Sequence, residues 1–149
     1  MHLSQHFELG EFVFSETAIR HSIDNAAPKD VIPNLERLCR DILEPVRKHF
    51  GPVRITSGYR CPALNKLVKS KPTSHHVTGQ AADLIILGGP RPLVVCDWIV
   101  NEGLPFEQVI AEFGRWTHVS IPLEGKNPKR EELTIDAQGV RGGLHEARP

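Results

Sequence analysis

Apolar positions first settle into a helical spacing between Leu35 and Val46. Leu35, Leu38, Cys39, Ile42, Leu43 and Val46 stand three or four residues apart, which predicts an amphipathic helix. Pro33 suits its first turn and Gly51 its stop, while Pro45, which has no backbone N–H to give, predicts a kink near the carboxyl end. Leu93, Val94, Trp98 and Ile99 predict a second helix ending near Gly103, and Pro62 opens a short one to about Val68. Upstream, Ser15-Glu16-Thr17 reads as the capped start of a short helix through Ile23. That helix belongs to an arm, residues 1–25, which carries Phe7, Phe12 and Phe14 and is expected to pack over the domain.

Elsewhere the runs are shorter and strand-like. Val53-Arg54-Ile55-Thr56 is a short strand, and Gly79 to Leu87 reads as a buried one, entered from the polar, irregular stretch Ser70 to Thr78. Gly88-Gly89-Pro90 breaks it. Gln108 to Phe113 and Trp116 to Ile121 form a predicted hairpin around Gly114-Arg115. Beyond Pro122 the chain is polar, with Leu133-Thr134-Ile135 as a further short strand and a loose tail after Gly142. The sum is an α+β fold: a small antiparallel sheet with flanking helices on one face.

Composition narrows the class of protein. With 149 residues, 40% hydrophobic and 24% charged, the chain fits one domain over residues 1–149 with one core. Eighteen basic residues balance 18 acidic ones without long runs of either sign, so no footprint for nucleic acid or an acidic membrane surface is present. The start, Met1-His2-Leu3-Ser4-Gln5-His6, lacks the basic and apolar regions of a signal peptide, and no stretch is apolar enough for a membrane span. The expectation is a monomer made in the cytoplasm. Cys39, Cys61 and Cys96 show no C-x-x-C spacing; Cys39 and Cys96 read as small core residues and Cys61 as incidental.

Two segments carry chemistry. In Ser74-His75-His76-Val77-Thr78-Gly79-Gln80-Ala81-Ala82-Asp83, an imidazole on a loop precedes a carboxylate inside an otherwise apolar strand. An isolated carboxylate is too costly to desolvate there, so Asp83 needs a cation, an arginine or a metal opposite it. In Trp116-Thr117-His118-Val119-Ser120 an imidazole stands mid-strand. Each piece has a plain structural reading: His118 as a hydrogen-bonded core residue, Asp83 paired with Arg60 or Arg54. Spacing does not say which of His75 and His76 faces inward. Together the segments offer two imidazoles and one carboxylate, the donor set that suits zinc with one position open to water.

These motifs resemble the zinc D-alanyl-D-alanine peptidase family, particularly its short phage and prophage members, whose fold is shared with Hedgehog signalling domains. The family's Ser-x-His-x-x-Gly-x-Ala-x-Asp signature matches Ser74, His76, Gly79, Ala81 and Asp83, which selects His76 over His75. Ile55-Thr56-Ser57-Gly58-Tyr59-Arg60-Cys61-Pro62 followed by Asn65 is similar to its Ser-Gly-Tyr-Arg segment, and Trp116-x-His118 to its distal ligand motif. The resemblance covers residues 3 to about 121 and includes the arm. It implies His76, Asp83 and His118 as ligands of one zinc ion and Arg60 as the guanidinium that binds a substrate carbonyl or carboxylate. Ser74 and Gln80 would orient groups at the pocket edge or bond an imidazole.

One position departs from the pattern. Many relatives carry an acid three residues before the last histidine, where this chain has Arg115. Glu112 is the nearest substitute as general base. A three-residue loop, Phe113-Gly114-Arg115, sets Glu112 opposite Trp116 on the face of His118; a two-residue loop pairs it with Thr117 on the other face. The expectation is the longer loop. The resemblance then implies hydrolysis of peptide bonds in bacterial peptidoglycan stem peptides, as a D,D-carboxypeptidase or an endolysin-like endopeptidase acting at the cell wall. The alternative is an inactive metal-binding or virion module of the same fold.

Overall fold

A computed structural model describes residues 1–149. The arm holds two short helices, α1 (Leu9–Val13) and α2 (Glu16–Arg20). Sequence alone had not indicated α1; the Glu11 carboxylate accepts from the Glu8 N–H at 2.7 Å and closes its first turn. Ser15 caps α2 as its position suggested, with Oγ accepting from the Ala18 N–H at 3.1 Å. That helix ends at Arg20, short of Ile23.

The long helical stretch runs as α3 (Ile32–Leu38), a π turn (Cys39–Leu43) and α4 (Glu44–Phe50). The Glu44 N–H reaches back five residues to the Cys39 carbonyl. Pro45 has no N–H to continue the ordinary ladder, and the wider turn just before it takes up the mismatch. Gly51, at φ +94, ends the stretch.

The sheet contains β1 (Val53–Ser57), β2 (Ala81–Ile86), β3 (Gln108–Glu112), β4 (Trp116–Ser120), β5 (Glu131–Asp136) and β6 (Gly139–Gly142). Their order is β1-β2-β4-β3-β5-β6. Between β1 and β2 lies α5 (Pro62–Leu67), and between β2 and β3 lies α6 (Pro92–Asn101). The α+β expectation holds, with one correction: β5 pairs parallel to β3, so the sheet is mixed. The connection from β4 crosses back to the start of β3, where the Glu131 N–H bonds the Glu107 carbonyl. A parallel pair needs such a crossover, and local hydrophobic pattern does not encode it.

Alternation divides the sheet into two faces. Ala82, Leu84, Val109, Ala111 and Val119 turn to one side, where they join Leu35, Leu38, Ile42, Val46, Val95 and Ile99 in a core cluster of 22 buried residues. Phe7 and Phe12 of the arm lie in the same cluster at 1% and 0% exposure. Cys39 and Cys96 are buried in it as well, and burial pushes the Cys96 thiol up to about 12. The other face carries Asp83, Ile85, His118, Ser120, Ile110 and Glu112, as the cross-strand partners Asp83↔His118, Ile110↔His118 and Glu112↔Trp116 require.

The tail is tied down rather than loose. The Arg148 N–H and Nε both donate to Asp136 Oδ2 at 3.0 Å, and the His145 N–H donates to Thr134 Oγ1 at 2.9 Å. Arginine holds the Asp136 carboxyl well below the usual carboxylate range. Tail composition is polar, but its partners sit on β5, over ten residues away in the chain, where no local signal reaches.

Candidate metal centre

Three elements meet at the polar face of the sheet. His76 sits on the loop that enters β2, Asp83 is the third residue of β2, and His118 is the third of β4. Antiparallel register sets Asp83 directly across from His118. The His118 Nδ1 is 2.9 Å from Asp83 Oδ1, and the His76 Nε2 is 3.4 Å from the same oxygen. One donor atom from each residue falls within 4.8 Å of the others. His76 and His118 are 2% and 8% exposed, so the cluster is nearly dry.

Loop placement of His76 depends on glycines. The Gly58 carbonyl lies 2.6 Å from His76 Nδ1. A carbonyl accepts only, so Nδ1 carries a proton, which leaves Nε2, on the side of Asp83, as the atom that could ligate a metal. A Cβ on Gly58 would come within 2.6 Å of the Phe12 Cα and carbonyl oxygen, so the arm and this loop touch too closely for any other residue. Gly79 has φ +74, which turns the chain from the loop into β2 at little cost. The neighbouring His75 points elsewhere: its Nδ1 lies 3.0 Å from Ser120 Oγ.

Electrostatics distinguish the carboxylates. Burial alone would raise the Asp83 carboxyl, but His76 and His118 against it outweigh that and hold it well below the usual range. Glu112 goes the other way. Burial, reinforced by the charge of Asp83, pushes it up to about 7 despite His118, Trp116 and Arg60. It stands opposite Trp116, so the loop is the three-residue one. Phe113 and Gly114 take φ +55 and +64 there, and the Arg115 N–H closes onto the Glu112 carbonyl at 2.9 Å. Arg115 itself is exposed at the tip.

Arg60 faces both carboxylates, and burial lowers its pKa while Asp83 and Glu112 raise it. Its Nη2 donates to Ser74 Oγ at 3.3 Å, but its Nε is buried without a partner. A buried, unpaired guanidinium nitrogen suits an incoming anion or carbonyl. Ser74 therefore orients the arginine. Gln80 is a correction to the sequence expectation: its Nε2 donates to the Ile121 carbonyl at 2.9 Å and its Oε1 accepts from Thr78 Oγ1 at 2.6 Å, so it ties the loop to the end of β4 and bonds neither ligand imidazole.

Sequence reasoning passed over Asn25. This residue, 7% exposed, donates to the Val13 and Tyr59 carbonyls at 2.9 and 3.0 Å and accepts from the Cys61 N–H at 2.8 Å. It clamps the backbone on both sides of Arg60 to the arm. A single asparagine in a polar stretch gives no periodic signal, so only long-range contact reveals it.

The donor set of two imidazoles and a carboxylate fits a divalent metal of intermediate softness. A family model described as Peptidase M15 matches residues 5–120. The chain belongs to this family. The match spans the arm, Arg60, His76, Asp83, Glu112 and His118, and ends before β5. No curated protein sequence matches the chain. Membership in the peptidase M15 family makes this a metallopeptidase-type chain, with a His76, Asp83 and His118 group that could hold the metal. No helix is long and apolar enough to cross a membrane.

Proposed function

We propose that the protein is a zinc peptidase that hydrolyses peptide bonds in peptidoglycan stem peptides, with His76, Asp83 and His118 as the zinc ligands. The observation that carries this reading is the convergence, on one face of the sheet, of three donor atoms within 4.8 Å beside a carboxyl pushed up to about 7 and an unpaired arginine nitrogen. Zinc, when bound, supplies Lewis acidity that acidifies water and polarises a carbonyl.

The side chains divide the remaining work. Glu112 accepts a proton from the attacking water as its oxygen bonds to the scissile carbonyl carbon. The same proton passes to the amine nitrogen as the C–N bond breaks, which leaves a carboxylic acid and an amine; at neutral pH the acid's proton passes to the amine, giving a carboxylate and an ammonium. Arg60 donates to the carbonyl oxygen or to a substrate carboxylate, where negative charge grows. The Gly58 carbonyl fixes the His76 imidazole.

Substrate class follows from the family resemblance rather than from the ligand set, and an endolysin-like endopeptidase is favoured over a D,D-carboxypeptidase. Digestion of purified sacculi with zinc-loaded protein, with fragments weighed by mass spectrometry, tests activity and bond choice together. New amines at one stem position are expected. One bound zinc per chain without any released peptide would overturn hydrolysis in favour of the inactive module, consistent with Arg115 at the usual acid's position. Unchanged zinc stoichiometry in His76→Ala, Asp83→Ala and His118→Ala would overturn the ligand assignment.

A further inference from the structure

A cavity of about 480 Å³ adjoins the metal centre on the same face of the sheet. Arg60 and Ser57 form its near end, and Ser57 is paired with Asp83 across the strands. Ile85 and Arg54, which face each other in the β1·β2 register, continue its floor. The β1·β2 register shifts between Ile55 and Ser57, beside the pairing of Ser57 with Asp83. Phe14, Glu16 and Thr17 of the arm, with Leu64 and Val68, wall the far side.

Two charges lining this space stand without partners. Arg54 makes no side-chain hydrogen bond and no ion pair, and neither does Glu16, so the two do not neutralise one another across the cavity. Phe14, 61% exposed, offers an apolar surface at the rim. One free guanidinium, one free carboxylate and an apolar flank describe the complement of a zwitterionic group on an aliphatic stem.

We propose that this cavity is a second substrate subsite, in which Arg54 and Glu16 bind the carboxylate and the ammonium of a diamino acid side chain carried by the peptide being cleaved. The inference rests on the peptidase reading and deepens it: Arg60 anchors the backbone near the scissile bond, while the zwitterionic head lies along β1. Neither Arg54 nor Glu16 touches the reacting atoms, so they determine which peptide binds rather than how fast it is cut.

Three otherwise identical stem-like peptides test this: one with the free zwitterionic side chain, one with its carboxylate amidated, and one with its amine acetylated. Affinity is measured by equilibrium dialysis on the zinc-loaded, full-length Glu112→Gln protein, and KM and kcat on the zinc-loaded protein with Glu112 intact. Each blocked peptide should bind about tenfold more weakly. Arg54→Gln should abolish discrimination against the amidated peptide only, and Glu16→Gln against the acetylated one only, with kcat within about twofold. Equal binding of all three peptides, no binding of any, or equal loss for all three in either variant would overturn the subsite. Discriminating binding without any cleavage would leave the subsite standing and refute the peptidase reading; cleavage without discrimination would do the reverse.

Discussion

Replacing Gly58 with alanine should damage the fold and the metal centre together, although the added methyl touches no ligand. The new Cβ would stand 2.6 Å from both the Cα and the carbonyl oxygen of Phe12, so one segment must retreat by roughly 1 Å to reach an ordinary contact. Phe12 is fully buried, at 0% exposure, and cannot yield without disturbing the core. Overpacking of this kind costs about 1–3 kcal/mol, which at about 2–4 °C per kcal/mol for a chain of this size lowers Tm by roughly 2–12 °C. The Gly58 carbonyl must move as well, and its 2.6 Å contact to His76 Nδ1 has little slack. Loss of such a partner weakens metal binding by about 10- to 100-fold. Scanning calorimetry of the metal-free protein measures the first effect, and zinc competition against a chelator the second. Gly10→Ala, where a Cβ meets nothing within 4 Å, is the control. A Gly58→Ala protein with unchanged Tm and unchanged zinc affinity would refute the claim that the arm, the loop and His76 form one tightly packed unit.

Other expectations follow from the same geometry. Glu112→Gln should retain one zinc per chain while turnover falls by at least about a hundredfold; near-normal turnover would remove Glu112 from the mechanism. In the metal-free protein Glu112 is raised from 4.5 to about 7, so between those values the folded chain holds a proton that the unfolded chain has released. Stability should therefore fall as pH rises through that window, by roughly 1–2 kcal/mol after allowance for partial exposure, and urea titrations of Glu112→Gln should show a flatter profile. Asp83 has the opposite sign. Its carboxyl is depressed, so its contribution is present above its ordinary value of 3.8 and is lost as pH falls below it; an Asp83→Asn protein that loses stability in acid as steeply as the parent would contradict this. Asn25→Ala should leave three bonds unmade around Arg60, raising KM more than it lowers kcat, and an unchanged KM would separate the arm from substrate binding.

What the sequence determined by itself is what short-range pattern can carry. Three- and four-residue spacing specified the helical stretch from Leu35 to Val46, short apolar runs bounded by glycines indicated β2 and the β3·β4 hairpin, and the Ser74 to Asp83 motif, through its family resemblance, pointed to His76 and Asp83. Asp83 was legible because a carboxylate in an apolar strand demands a partner within the fold. Register was not legible: a one-residue change of loop length moves Glu112 to the opposite face, and only the pairing of Glu112 with Trp116 decided its side. Nor could local pattern show that Phe12 and Asn25 of the arm hold Gly58 and Arg60 in place, that β5 joins β3 in parallel, or that Arg148 pins the tail to Asp136. These contacts join residues far apart in the chain, and their energy depends on closing long loops against the core rather than on the residues beside them. Sequence chose the donors; tertiary packing aimed them at one another.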